Sequence, residues 1–406
     1  MKIFELLKTT PFNQQFVTIL FIIMSIQIVP IEGFNISPIK VSLMGLCLCV
    51  FLIKVPYLTK VFWISLLYFA VCFLLSYLRV NFRFSTLGYQ FLFLITFVTY
   101  YNFIYSGTLS LQQFQKILKF LIIAYAITLI IQQCCVLVGM TNVPIFNLMG
   151  FQSYKWNRLP VLTCEPSHAA TILTGLFLGY LRCIEISNNQ KPTLKSIFEQ
   201  KHRIVTISYL WLTFTMGSGS GWIGFCIICL YFINWKSFLY ITPLLFGLFL
   251  ILQYSENEQF QRAKASVEAT LTGDVKTIAK ADGSASVRII PLVNTLTHLE
   301  INKRETWLGE GTNSINERDT AWKDPHRKIS TIEQYGLIGF ICSLILLYTC
   351  IIKTFFSCET ICFILLLTLT ISNAYLAWSV FFTFTTTSYF YRQKEKGLLI
   401  LEKNEE

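Results

Sequence analysis

Charged side chains are scarce in this chain, and the scarcity sets its class. Asp, Glu, Lys and Arg make up 14% of the 406 residues and hydrophobic residues 54%, whereas soluble domains average roughly 25% charged. Too few charges remain to cover a water-facing surface. Histidine is sparse too: the four are scattered, and no Cys/His group has the spacing of a zinc site. No metal is expected, although carboxylates can recruit a divalent ion. Cysteine is plentiful at 13, yet Tyr254–Thr331 has none and only Cys164 sits in a link expected to face outward. A disulfide framework on that side is thereby excluded. The centres of the apolar segments carry no series of Asp, Glu or Arg, which speaks against a proton-coupled transporter. An internal inverted repeat is absent as well. The first apolar run lacks a short core ending in small residues, so no cleaved signal peptide is expected.

What the chain has in abundance is apolar runs of membrane length. Runs of about 17–25 apolar residues suffice to cross a hydrocarbon core as helix. They fall near Phe16–Ile31, Ile39–Ile53, Val61–Leu78, Leu87–Tyr105, Ile117–Val138, Ser167–Ile186, His202–Met216, Gly219–Asn234, Phe238–Gln253 and Ile332–Ile352. A last segment, Thr360–Phe390, is too long for one straight span and is expected to break near Ser372–Asn373. The reading is an all-α polytopic membrane protein of about 12 transmembrane helices. It divides into nine spans (1–253), a polar stretch (254–331), the C-terminal spans (332–391) and a tail (392–406).

Basic residues orient these spans. With the N-terminus inside, the inner links and tail hold 17 Lys and Arg and the short outer links hold 5: Lys40, Arg79, Arg83, Lys155 and Arg158. That asymmetry is the positive-inside pattern. It places both termini in the cytoplasm and the Tyr254–Thr331 stretch outside, as one large helical loop. The net charge of +11 then reflects topology, and no nucleic-acid partner is implied.

Two outward segments carry candidate chemistry. In the link Tyr154–His168, Glu165 precedes Pro166, a residue suited to the first turn of a helix, so its carboxylate falls where the helix dipole stabilises it. Capping, with Trp156 and Arg158 as interfacial anchors, is one reading. The other is a carboxylate beside a basic residue at a cavity rim, able to deprotonate a sugar hydroxyl while the cation holds phosphate. In the polar stretch, Glu256–Thr272 suits an amphipathic helix, and Ser284 suits the cap of a helix over Ala285–Leu299 that contains Arg288. Pro291 there must lie in the first or second turn or kink it. Gly309-Glu310-Gly311 makes a bend that allows close backbone approach, though Gly-x-Gly alone more often means a turn. His326, Arg327 and Lys328 precede the re-entering span; a lone loop histidine is commonly structural, but the neighbouring cations suit an anionic ligand. Within the membrane, Ser218-Gly219-Ser220-Gly221 reads as a tight turn for close helix packing, and Ser372, Asn373 and Tyr375 as polar backbone buried by protein or water.

Taken in order, these elements resemble the O-antigen polymerase and ligase superfamily of bacterial membrane glycosyltransferases. Arg158 with Glu165-Pro166-Ser167 is similar to the Arg…Glu-Pro-Ser element of Wzy-type polymerases. Met216–Trp222 resembles the family's Ser/Gly-rich turn, Ser286-Val287-Arg288 its Ser-x-x-Arg helix, Gly309-Glu310-Gly311 its Gly-x-Gly element, and His326 through Gly336–Gly339 its re-entry segment. Two positions differ: the family's His-Asn pair is His326-Arg327 here, and the acidic residue before the final glycines, Glu333, comes one position early. The resemblance implies an enzyme of the bacterial inner membrane with no cofactor. It would polymerise undecaprenyl-pyrophosphate-linked oligosaccharide repeat units by a metal-independent, inverting displacement. Glu165 or His326 would act as base, Arg288 and Arg158 would stabilise the pyrophosphate, and Ser167, Gly309, Gly311 and Arg327 would bind substrate. Residues 254–331 would form a catalytic loop and lid. Membrane lipid is an implied partner and a chain-length regulator a further candidate. The alternatives are a ligase passing glycan to lipid A core and, from another class, an exporter or flippase of lipid-linked sugars.

Overall fold

Helix starts are written locally in this chain and helix partners are not. The computed structural model describes residues 11–26, 37–53, 59–79, 82–140, 159–163, 165–233, 247, 283–312, 327–371 and 375–398, and among these there are helices and no strands. In order they are α1 (Pro11–Met24), α2 (Pro38–Ile53), α3 (Lys60–Tyr77), α4 (Phe84–Tyr105), α5 (Leu111–Leu137), α6 (Pro166–Asn188), α7 (Leu194–Ile197), α8 (Gln200–Thr215), α9 (Gly219–Phe232), α10 (Gly283–Thr297), α11 (Arg304–Leu308), α12 (Ser330–Leu346), α13 (Cys358–Leu365) and α14 (Tyr375–Glu395). Among the described residues, five helical stretches are long and apolar enough to cross a membrane: Lys60–Tyr77, Phe84–Tyr105, Leu111–Leu137, Pro166–Asn188 and Ser330–Ile351. Three shorter apolar helices, Phe12–Met24, Pro38–Ile53 and Gly219–Phe232, accompany them.

The starts have visible causes. Ser110 accepts from the Gln113 amide at 3.2 Å and donates its own amide to the Gln113 side chain at 3.0 Å, a capping box that opens α5. Pro166 opens α6, which ends where Asn189 turns left-handed at φ 56. α1 is helical from Pro11, ahead of the expected Phe16.

α6 is the hub, buried along nearly its whole length. It meets α14 through glycines: a Cβ on Gly175 would come within 2.9 Å of Val380 Cγ1, and one on Gly179 within 2.3 Å of Thr383 Cγ2. Small residues let helices approach where lipid offers no competing hydrophobic gain. On the far side of α14, Trp378 stacks on Phe93 with centroids 5.7 Å apart, and Phe382 on Tyr100 at 4.1 Å. Most buried hydroxyls on these helices return to their own backbone four residues back, as Thr174 does to Ala170 and Thr383 to Ser379.

The expected break in the last apolar segment is present, and it begins earlier than Ser372. α13 is only eight residues, about 12 Å of helix, less than half of a hydrocarbon core of about 30 Å. Thr368 and Leu369 follow with φ 49 and 55, left-handed values costly for residues with a Cβ. The loosened backbone is gripped by Tyr68 of α3, whose hydroxyl donates to the Ile371 carbonyl at 2.8 Å. α12 also ends irregularly, in a π-helical turn over Leu347–Ile351 whose carbonyls accept from Ser388 at 2.7 Å (Ile351) and Arg392 at 3.2 Å (Thr349).

One end of the bundle is fastened by ion pairs. Arg182 near the end of α6 holds Glu359 of α13 with two hydrogen bonds, 2.7 and 2.9 Å, and Glu185 with one of 2.8 Å. Tyr231 of α9 donates to Glu185 at 2.7 Å and presents its ring to the guanidinium at 5.0 Å. Lys191 lies over the same ring, Lys394 reaches the Glu185 carbonyl, and Lys353 pairs with Glu395. Arg392 donates to the hydroxyl of Tyr105, the last residue of α4. The α6, α9 and α14 C-termini and the α13 N-terminus thus share one end, called here the Arg182 end.

Candidate active site

Glu165 stands at the opposite end of α6. Its backbone is extended, φ −143 and ψ 147, and it is the N-cap residue directly before Pro166. The side chain makes no capping bond; it turns outward, 53% exposed. Its Oε2 accepts from the Ser167 hydroxyl at 3.2 Å and lies 3.8 Å from His168 Nε2, one turn on. A carboxylate at a helix N-terminus is stabilised by the dipole whether or not it caps. With a hydroxyl and an imidazole beside it, this one can take a proton from a hydroxyl brought within hydrogen-bond reach.

The turn that delivers Glu165 is strained and clamped. Val161 sits at φ 57, a genuine outlier for a β-branched residue. Such conformations cost of order 1–3 kcal/mol and persist only where the surroundings over-determine them. Here Gln132 of α5 does so with both ends of its amide: Oε1 accepts from Val161 N at 3.0 Å and Nε2 donates to Val161 O at 3.1 Å. Thr163 closes the turn. Its amide bonds the Pro160 carbonyl at 3.0 Å, and its hydroxyl lies 2.8 Å from that same oxygen and 2.7 Å from the Glu165 carbonyl.

A second group of candidates is knitted where α12 begins. Gly309 has φ +75 and Gly336, a non-helical residue within α12, has φ +65. The two segments cross so closely that a Cβ on Gly309 would lie 2.4 Å from the Gln334 carbonyl oxygen, and one on Gly336 2.2 Å from that of Trp307. The close approach expected at the Gly-x-Gly bend is therefore to the chain's own backbone. Glu310 N and Gly311 N donate to the carbonyls of Glu333 at 2.6 Å and Gln334 at 3.3 Å. Glu333 is buried, and its Oε1 accepts from Lys328 N at 2.7 Å. Arg327 donates to the Ser330 hydroxyl at 3.4 Å, and its carbonyl accepts from Asn294 of α10 at 2.9 Å. Ile329 N donates to Thr295 Oγ1 at 3.1 Å, and Arg83 N to Thr312 Oγ1 at 2.8 Å.

Both groups occupy the end away from Arg182. α4 runs from Arg83 beside Thr312 to Tyr105 beside Arg392, and α6 from Glu165 to Arg182. Hydrogen bonds join Glu165 with Ser167 and tie Glu310, Gly311 and Lys328 to Glu333 and Gln334; Gly309 meets the same stretch by close backbone approach, and Arg327 directly precedes Lys328. Arg288 lies on α10, but its side chain is outside the described residues, and Arg158 and His326 are outside them altogether. α10 itself begins at Gly283, so Ser284 lies inside it and not at the expected cap; Pro291 falls beyond its second turn. The expected spans and helix at Phe238–Gln253 and Glu256–Thr272 also lie outside the described residues, Gly247 excepted.

Several residues of this end were not legible as site components. Gln132 showed only as an amide in an apolar run, Thr163 as one hydroxyl among many, and His168 as the last residue of a link. Gln132-Gln133 was the usable signal, since polar side chains in a span usually face protein. No known protein family, curated protein or solved structure matches the chain.

Proposed function

We propose that the chain is an integral-membrane glycosyltransferase that polymerises undecaprenyl-pyrophosphate-linked oligosaccharide repeat units. The observation that carries this reading is the gathering of Glu165-Pro166-Ser167, Gly309–Gly311 and Arg327–Glu333 at one end of the bundle, in the order that resembles the polymerase family. About twelve spans, with nine before residue 254, put that end outside the inner membrane and make 254–331 an external loop. Lys191, Lys353 and Lys394 at the Arg182 end support this orientation, because cytoplasmic links are enriched in Lys and Arg.

In the reaction, a hydroxyl of one lipid-linked repeat attacks the anomeric carbon of another chain. The new C–O bond forms as the bond to pyrophosphate breaks, with inversion. Glu165 takes the hydroxyl proton, with His326 the other candidate base, and Arg288 and Arg158 absorb the charge growing on the leaving pyrophosphate. Ser167 and Arg327 bind substrate, and Gly309 and Gly311 act through the backbone they allow to approach α12. The test is glycan chain length in cells carrying Glu165→Ala, Arg288→Ala or His326→Ala. Loss of polymer with single repeats still displayed is the expected result. Unaltered chain lengths in all three overturn the site, and loss of every surface glycan points to a ligase or an exporter.

A further inference from the structure

Gln132 does something that its own helix does not need. It lies on an apolar span, is 5% exposed, and spends both amide atoms on one residue 29 positions away. An apolar side chain of similar size would pack there without the cost of burying an amide. What the amide achieves is local: it fixes the left-handed backbone of Val161, a residue that is itself fully buried. The restraint continues in one direction. Val161 sits inside the turn that Thr163 closes on Pro160, and the Thr163 hydroxyl reaches the Glu165 carbonyl. That same carbonyl accepts from His168 N at 3.1 Å and Ala169 N at 3.2 Å, the first bonds of α6.

We propose that Gln132 is a positioning residue for the Glu165 carboxylate, acting through the left-handed turn at Val161. The proposal rests on the glycosyltransferase reading for its consequence, not for its geometry. Without the clamp, Val161 relaxes to negative φ, the Thr163 bridge opens, and Glu165 leaves its place before Pro166. Val161→Gly removes the reason for the clamp, because glycine takes the left-handed conformation without steric cost.

The test uses the full chain in membranes and two readouts. One is the rate at which a water-soluble carbodiimide with an amine modifies Glu165, followed by peptide mass spectrometry, which needs no enzymatic activity. The other is kcat and KM for transfer from an undecaprenyl-pyrophosphate-linked oligosaccharide. Gln132→Leu is expected to change the labelling rate and to lower kcat about a hundredfold, the scale of a misplacement of about 1 Å, with KM nearly unmoved. Gln132→Leu with Val161→Gly is expected to recover most of both. Thr163→Val, which breaks the same path at another residue, is expected to shift both readouts as Gln132→Leu does, and serves if Gln132→Leu fails to fold. Labelling unchanged in both Gln132→Leu and Thr163→Val, or no recovery in the double variant, overturns the proposal. Labelling that responds as expected while transfer ignores every variant, Glu165→Ala included, upholds the positioning role and refutes Glu165 as the base; labelling that responds while the unsubstituted chain transfers no glycan upholds the positioning role and refutes the glycosyltransferase reading.

Discussion

Arg182 is shared between two carboxylates, and removing it should cost more than removing either partner. In Arg182→Met, Glu185 and Glu359 lose their common cation, which they now contact at 2.8 Å and at 2.7 and 2.9 Å. Arg182 and Glu359 are 16% and 11% exposed, so solvent screens the pair only in part. At an effective dielectric of about 20, two unit charges about 4 Å apart interact by about 4 kcal/mol, most of it offset by desolvation. Breaking a buried pair by deleting one partner costs about 3–5 kcal/mol, because a charge is left buried and uncompensated. Arg182→Met strands two such charges and is expected at the upper end. Glu359→Leu leaves the guanidinium with Glu185 and the Tyr231 ring, and about 1–3 kcal/mol is expected, the scale of one hydrogen-bonded partner lost. The double variant should cost less than the two singles together, giving a coupling of about 1–3 kcal/mol in a double-mutant cycle. Unfolding equilibria in mixed micelles, read by intrinsic fluorescence, measure all four proteins. Equal cost for the two single variants, or additivity in the cycle, would refute the shared-cation account.

Three smaller tests follow from local geometry. Gly309→Ala and Gly336→Ala each force a Cβ into a backbone carbonyl at a positive φ; a loss of about 1–3 kcal/mol should appear as faster proteolysis around 304–312 while helix content is kept. Gly179→Leu should push α14 from α6, since even a Cβ there would meet Thr383 Cγ2 at 2.3 Å; yield and thermal stability in detergent should fall, and Gly45→Leu, with open space around it, should be tolerated. In the 300–308 segment, Lys303 holds the Glu300 carboxyl below its usual range by a direct hydrogen bond. A depressed carboxyl stabilises above its unfolded range and loses that contribution as pH falls through the folded one. Protection factors for amide exchange across 300–308, corrected for the intrinsic pH dependence of exchange, should therefore fall in acid at low salt, and this effect should fade in high salt because the pair is exposed.

How much of this was legible in the sequence depended on how far apart the participants lie. Helices such as Lys60–Tyr77 and Gly219–Phe232 begin within a residue of where apolar length placed them, since period and capping are local. The Glu165–Pro166 helix start was legible for the same reason. α10 was legible as a helix, and its bounds were not: Ser284, expected as the cap, lies inside Gly283–Thr297, as does Pro291. Left-handed Thr368, Leu369 and Val161 run against local preference, so no reading of neighbours could have found them. Each lies in a turn close to a hydrogen bond from a distant helix, Tyr68 reaching Ile371 and Gln132 reaching Val161. The Arg182–Glu359 pair joins residues 177 apart, a separation at which sequence pattern carries no signal.

Where Trp307–Gly311 crosses the first turns of α12, backbone meets backbone with no side chain between. Side chains ordinarily act as springs at such crossings, taking up small displacements by changing rotamer. Here there is none to yield. A push on the Gly309 segment is delivered at full stroke to the Gly336 step in the helix, and a tilt of that helix returns to the segment undiminished. Thr312, tied to Arg83, extends the linkage to the start of α4. The start of α4, the 307–312 segment and the first turns of α12 are therefore joined by direct backbone contact and hydrogen bonds.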